Sequence, residues 1–147
     1  MVGKSSDYET PQDLFDKLSR QFAFELDVAA APTNTKCERF YTEADNGLVQ
    51  PWATVNWCNP PYGRGIEKWV KKALEEVRNH NTTVMLLPAR VDTRWFHDLV
   101  LPNMDAGVIT CTFIKGRLKF GGAKHPAPFP CMILAFRTYG AGLVTGV

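Results

Sequence analysis

Residues 55–63 read VNWCNPPYG. An apolar run with β propensity stops at an asparagine, two prolines and a tyrosine, and a helical pattern begins directly afterwards. Proline has no N–H, so Pro60 and Pro61 end strand pairing and hold the backbone extended. Apolar residues on both faces of ATVNWC (53–58) fit a strand covered on both sides, as in a parallel sheet. The following segment places Ile66, Trp69, Val70, Ala73, Leu74 and Val77 on one face of a 3.6-residue period, which predicts an amphipathic helix. A strand that feeds a helix through a tight polar turn is the first half of a β-α-β unit.

The same reading extends in both directions. Thr10 and Pro11 followed by Asp13 predict a helix start, with Thr10 as cap and Pro11 at the first helical position. Leu14, Phe15, Leu18 and Phe22 supply its apolar stripe. FELDVAAA (24–31) reads as a short strand, and residues 32–52 as loop with one short strand near Arg39–Thr42. TTVMLLP (82–88) is a further strand. Thr93 to about Leu101 is a short helix that Pro102 is expected to end. GVITCTFI (107–114) and CMILAF (131–136) are the last two strands, joined by a basic loop without a helix. Alternating strands and helices predict an α/β fold with a mostly parallel sheet, and the final pair predicts an antiparallel edge strand.

The chain of 147 residues suits one domain spanning 1–147, with no repeat, linker or separate target-recognition domain. It has no apolar run of transmembrane length and no signal-peptide pattern at its N-terminus, so a cytoplasmic protein without membrane contact is expected. Cys37, Cys58, Cys111 and Cys131 form no CxxC pair, which predicts reduced thiols and no metal site. Charge is divided unevenly. Residues 1–105 carry twelve Lys/Arg against fifteen Asp/Glu, a net of −3, whereas residues 106–147 carry five basic residues and no acid, a net of +5. A one-signed segment of this kind suits contact with a polyanion.

In open parallel sheets, ligands bind beyond the C-terminal ends of the strands, where NPPYG lies. The amide oxygen of Asn59 and the carbonyls freed by Pro60 and Pro61 form a stiff set of acceptors beside the flat ring of Tyr62. That combination suits a planar heterocycle with an exocyclic NH2: the ring stacks on Tyr62 while the amine donates to Asn59 and a carbonyl. Both protons held out of plane would localise the nitrogen lone pair, so positioning carries the chemistry instead of a strong base. A strand-ending Pro-Pro turn with a packing tyrosine is the competing structural reading. Gly63-x-Gly65 lacks the third glycine of a dinucleotide fingerprint, and no GxxxxGK[ST] phosphate loop is present.

Five ordered segments, YETPQDLFDKL (8–18), LDVAAAP (26–32), WCNPPYG (57–63), LLPARVDTRWFH (86–97) and GRLKF (116–120), resemble the small phage-type DNA N6-adenine methyltransferases. The resemblance implies a Rossmann-like methyltransferase fold and S-adenosylmethionine as cofactor. It implies adenine in DNA as methyl acceptor and an origin in a phage or prophage acting in a bacterial cytoplasm. By position, Asn59, Pro60, Pro61 and Tyr62 would be catalytic. Tyr8, Thr10, Pro11, Asp27, Ala29, Asp45 and Asn59 would border the cofactor. Ala29 stands in the loop AAAPTN, where many methyltransferases carry glycines. Phe120 would stack on the target base, and Arg90, Arg94, Lys115, Arg117, Lys119 and Lys124 would face phosphates.

A duplex buries adenine N6, so base flipping is expected, and phosphate contacts without a recognition domain imply short or relaxed sequence specificity. Methylation of RNA adenine or protein glutamine stays open, as does a nucleic-acid-binding module without catalysis. The oligomeric state stays open between monomer and homodimer.

Overall fold

The structure, a computed structural model, describes residues 8–138 and 144–147. Its elements are α1 (Gln12–Phe22), β1 (Leu26–Asp27), β2 (Arg39–Phe40), β3 (Val55–Cys58), α2 (Ile66–Arg78), β4 (Thr82–Pro88), a π-helical turn (Phe96–Val100) continuing into α3 (Leu101–Asp105), β5 (Ile109–Phe113) and β6 (Cys131–Phe136). The six strands form one sheet in the order β2-β1-β3-β4-β6-β5. The pairs β1–β2, β1–β3 and β3–β4 are parallel, while β6 runs antiparallel to both β4 and β5.

The mostly parallel α/β architecture matches the sequence reading, and the last two strands pair antiparallel at one edge as expected. One correction concerns which of them runs against the rest. The antiparallel strand is β6, which is interior, and the edge is occupied by β5. The burial of each strand explains the order. CMILAF is buried at every position, as a strand with neighbours on both sides and cover on both faces must be, whereas β5 keeps Thr110 and Thr112 half-buried and Phe113 exposed.

Helix α2 packs on β4 and β6 through the predicted apolar face, with Ile66, Trp69, Val70, Ala73 and Val77 buried. Helix α1 buries Leu14, Phe15, Leu18 and Phe22, and Phe15 meets Trp57 of β3 edge-on at 5.5 Å. Buried polar groups fix the register around β3. Asn56 is fully satisfied: Nδ2 donates to Ala53 O and Thr82 O, and Oδ1 accepts from Ala53 N. Glu76, buried on α2, accepts from Trp52 N at 3.1 Å and from Asn81 Nδ2 at 3.2 Å, with Lys72 Nζ at 3.5 Å. Gly47 must be glycine, because a Cβ there would collide with the carbonyl oxygen of Val28.

Two further expectations are corrected. Pro102 does not end its helix. Its missing N–H and crowding ring are absorbed by the π-helical turn just before it, where Leu101 N bonds Phe96 O, and Asn103 Nδ2 donates to Leu99 O at 2.7 Å. Thr10 does not cap α1 either. Pro11 is the N-cap residue, and among the described residues no side chain caps the helix. The Thr10 hydroxyl is drawn elsewhere, into the site described next.

Candidate active site

Because β1 and β3 are parallel neighbours, pairing Asp27 with Trp57, their C-terminal ends open on the same edge of the sheet. Asp27 ends β1 and Asn59 follows β3 by one residue, so an acid and an amide from sequence-distant segments come together there. The N-terminal segment crosses this edge, where Glu9 bridges to Gly121. The result is a cleft of about 210 Å³, counting its solvent-open part, lined by Glu9, Thr10, Asp27, Ala29, Asn34, Lys36, Trp57 and Asn59.

Asn59 is 5% exposed, and its amide has a defined polarity. Nδ2 donates to Tyr8 O at 2.7 Å and to Thr10 Oγ1 at 3.0 Å. A backbone carbonyl can only accept, so the group facing Tyr8 O must be the NH2. Oδ1 is buried and has no hydrogen-bond partner among the described residues. An unpaired buried acceptor costs on the order of 1–3 kcal/mol, so it marks a group held ready for a donor other than the described residues. No described residue donates to the carbonyls of Asn59, Pro60 or Pro61.

Tyr62 is buried, with its hydroxyl donating to Leu86 O at 3.3 Å, and burial pushes its pKa well up, so it remains a neutral phenol. Its ring is not bare. Tyr8 stacks on it at 5.1 Å and 26°, with Phe120 and Phe129 edge-on to Tyr62 at 6.2 and 5.9 Å. Phe120 and Phe129 also meet the Tyr8 ring edge-on, at 5.3 and 5.6 Å. The expected open stacking face is therefore occupied by the chain's own tyrosine.

Asp27 staples its loop: Oδ1 accepts from Ala29 N at 3.3 Å and Oδ2 from Lys36 N at 3.0 Å. Burial raises its carboxyl from 3.8 to about 6, outweighing those two donors and the Lys36 charge. The four thiols are free, and burial pushes Cys37 and Cys131 to about 12, Cys111 to about 11 and Cys58 well above the ordinary range. None can serve as a thiolate nucleophile near neutral pH. Among the described residues no cluster of three His, Cys, Asp or Glu side chains could hold a metal, and no helix is long and apolar enough to cross a membrane.

The structure thus brings Thr10, Asp27, Ala29 and Asn59 to one cleft, with Tyr8 above Tyr62 beside it. Pro11 sits half-buried at the start of α1. Asp45 is not in the cleft: it is exposed, and its carboxylate accepts from Thr42 N and Oγ1 to close a turn. Arg90 lies over the Phe129 ring at 5.7 Å, while Arg94, Lys115, Arg117, Lys119 and Lys124 are exposed. Phe120 is buried within the aromatic group and offers no free face. The sequence reading missed Glu9, Asn34, Lys36 and Trp57 in the cleft and Phe129 in the aromatic group. An aromatic enclosed by prolines in PAPFP was a usable signal for Phe129; for Lys36 there was none, since its position depends on the loop closing back onto Asp27.

Residues 3–139 match the model of the family described as DNA N-6-adenine-methyltransferase (Dam). A protein of Escherichia phage T1 called DNA N-6-adenine-methyltransferase is 38% identical over 92 residues, which are 60% of this chain and 38% of that protein. One of the same name from Haemophilus phage HP1 (strain HP1c1) is 33% identical over 99 residues, 65% of this chain and 57% of that protein. The chain spans less than two thirds of the length of either relative. With the family's match covering nearly all of the sequence, including the strand-end asparagine and its cleft, the chain belongs to the DNA N-6-adenine-methyltransferase (Dam) family.

Proposed function

We propose that this chain transfers a methyl group from S-adenosylmethionine to the N6 amine of adenine in DNA, on a Rossmann-like methyltransferase fold. The observation that carries the reading is the Asn59 amide, whose NH2 is tied down internally and whose Oδ1 is buried without a partner among the described residues. That polarity accepts from an amine; the reverse orientation would not. The names of both phage relatives and of the family support the same acceptor.

S-adenosylmethionine, when bound, supplies a methyl carbon on a sulfonium, open to direct in-line displacement. The residues present fit it, since the carboxylates of Glu9 and Asp27 with Lys36 and Asn34 in one cleft match the polar end of such a molecule. Asn59 Oδ1 accepts one amine proton, and a carbonyl of the Asn59–Pro61 segment accepts the other. Together they orient the nitrogen without removing a proton before the methyl arrives. As the C–N bond forms the S–C bond breaks to leave a neutral thioether, and the surplus proton on the methylated amine then passes to water. Asn59 is no base near neutral pH, so catalysis rests on placement and electrostatics. Tyr62 stacks on the adenine ring, and because Tyr8 covers that face, Tyr8 gives way as the flipped base enters. Arg117, Lys119 and Lys124 hold phosphates on the basic loop, positioning the strand without reading its sequence.

Replacement of Asn59 tests the assignment. Asn59→Ala should lower kcat on the order of 10²- to 10³-fold, the size seen when one preorganised polar contact to a transition state is removed. Cofactor affinity, read by calorimetry, should stay within about threefold. Full activity in Asn59→Ala would refute the role.

A further inference from the structure

Lys36 is an unusual lysine. Its side chain is only 8% exposed, and it lines the same cleft as Asp27, Glu9 and Asn59. Its Nζ donates to the neutral amide oxygen of Gln12 at 2.9 Å, while the nearest carboxylate oxygen, Oε1 of Glu9, stands 3.8 Å away, beyond hydrogen-bond reach. An ammonium has three protons to place, and a nearly buried one is costly unless paired. Among the described residues, the partners of Lys36 do not satisfy it. Its backbone N–H, meanwhile, donates to Asp27 Oδ2 at 3.0 Å, so the fold of the loop fixes the lysine beside the acid.

The cleft therefore presents one under-paired cation and two carboxylates, Asp27 and Glu9, within one enclosure. That set is complementary to an α-amino-acid zwitterion, whose carboxylate needs a cation and whose ammonium needs anions. Its lining is mostly polar and it opens to solvent, so it suits the charged end of a cofactor.

We infer that Lys36 binds the carboxylate of the cofactor's amino-acid end, with the ammonium directed to Asp27 and Glu9, so that Lys36 makes the site select cofactors carrying an intact amino acid. The inference rests on the S-adenosylmethionine reading above. Lys36 acts there as a specificity residue and touches no reacting atom.

Calorimetry with two nucleosides tests it without turnover. S-adenosylhomocysteine carries the amino acid; 5′-methylthioadenosine is the same thioether nucleoside without it. Lys36→Met should weaken S-adenosylhomocysteine about 10- to 100-fold, the scale of a lost charge-assisted hydrogen bond, and change 5′-methylthioadenosine by less than about threefold. Lys36→Arg should recover part of the loss, and thermal unfolding of each variant without ligand checks the fold. If Lys36→Met destabilises the protein, Lys36→Gln replaces it in the comparison. Equal weakening of both nucleosides, or of neither, overturns the assignment of Lys36 while leaving the cofactor reading intact. Wild-type protein that binds neither nucleoside overturns the cofactor reading itself.

Discussion

Replacing Asp27 with asparagine should make the protein's stability less sensitive to pH, and the size of the effect follows from the burial of the carboxyl. Below pH 3.8 the group is neutral in folded and unfolded chains alike and carries no penalty. As pH rises, the unfolded chain releases the proton first, while the folded chain holds it until about 6, so folding becomes less favourable across that window. The rise from 3.8 to about 6 corresponds to roughly 3 kcal/mol of lost stability once both states are ionised.

In Asp27→Asn the side chain carries no charge and escapes this cost. It also turns an NH2 toward one of the two backbone donors, Ala29 N or Lys36 N, a pH-independent penalty of about 1–3 kcal/mol. Only the pH-dependent part is diagnostic. Thermal unfolding of both proteins at pH 4.5, 5.5, 6.5 and 7.5 should show the variant gaining on wild type as pH rises. About 2 kcal/mol of the burial penalty develops between the ends of that series. With about 2–4 °C per kcal/mol for a chain near this size, the relative gain is about 4–8 °C. A difference that is flat across the series would mean that the carboxyl is as well solvated as in the unfolded chain. A difference of opposite sign would mean that the loop N–H groups and Lys36 outweigh burial. Either result would remove desolvation as the dominant influence on Asp27.

Other outcomes concern the aromatic group and the basic loop. Tyr62→Ala should abolish turnover. Tyr8→Ala should raise the fluorescence of 2-aminopurine placed at the target position of bound DNA, because the seat beside Tyr62 is vacated; unchanged fluorescence would argue against Tyr8 as the ring that gives way. Arg117→Gln with Lys119→Gln should weaken duplex binding evenly across sequences and flatten the slope of log K against log salt by about 1.8, at about 0.9 per phosphate contact. An unchanged slope would remove both residues from the interface.

Much of the fold is legible in local pattern. The helix at 66–78 and the strands at 55–58, 82–88 and 131–136 follow from periodicity and propensity, because each buries a face or core that its own residues supply. The position of β6 does not follow from the length of the connection before it. It is written instead in composition: CMILAF has no polar residue to turn outward, whereas ITCTF alternates threonines with apolar residues. Pro102 misleads for a different reason, since a π-helical turn removes the clash that normally ends a helix.

The candidate site divides along the same line. Asn59 and Tyr62 are readable because two prolines fix them at a strand end. The stack of Tyr8 on Tyr62, the Thr10 bond to Asn59 and the place of Lys36 depend on long-range closure of the N-terminal segment and the β1–β2 loop, and no local pattern encodes them.

Methyl transfer itself is read from the identity of the labelled product. The protein is incubated with radiolabelled S-adenosylmethionine and, in separate reactions, duplex DNA, single-stranded DNA, RNA and a glutamine-containing peptide, and the products are digested and resolved. Label is expected in N6-methyldeoxyadenosine and should be lost in Asn59→Ala. Label confined to RNA adenine or to glutamine, or no label in any substrate, would rule out adenine N6 of DNA as the acceptor.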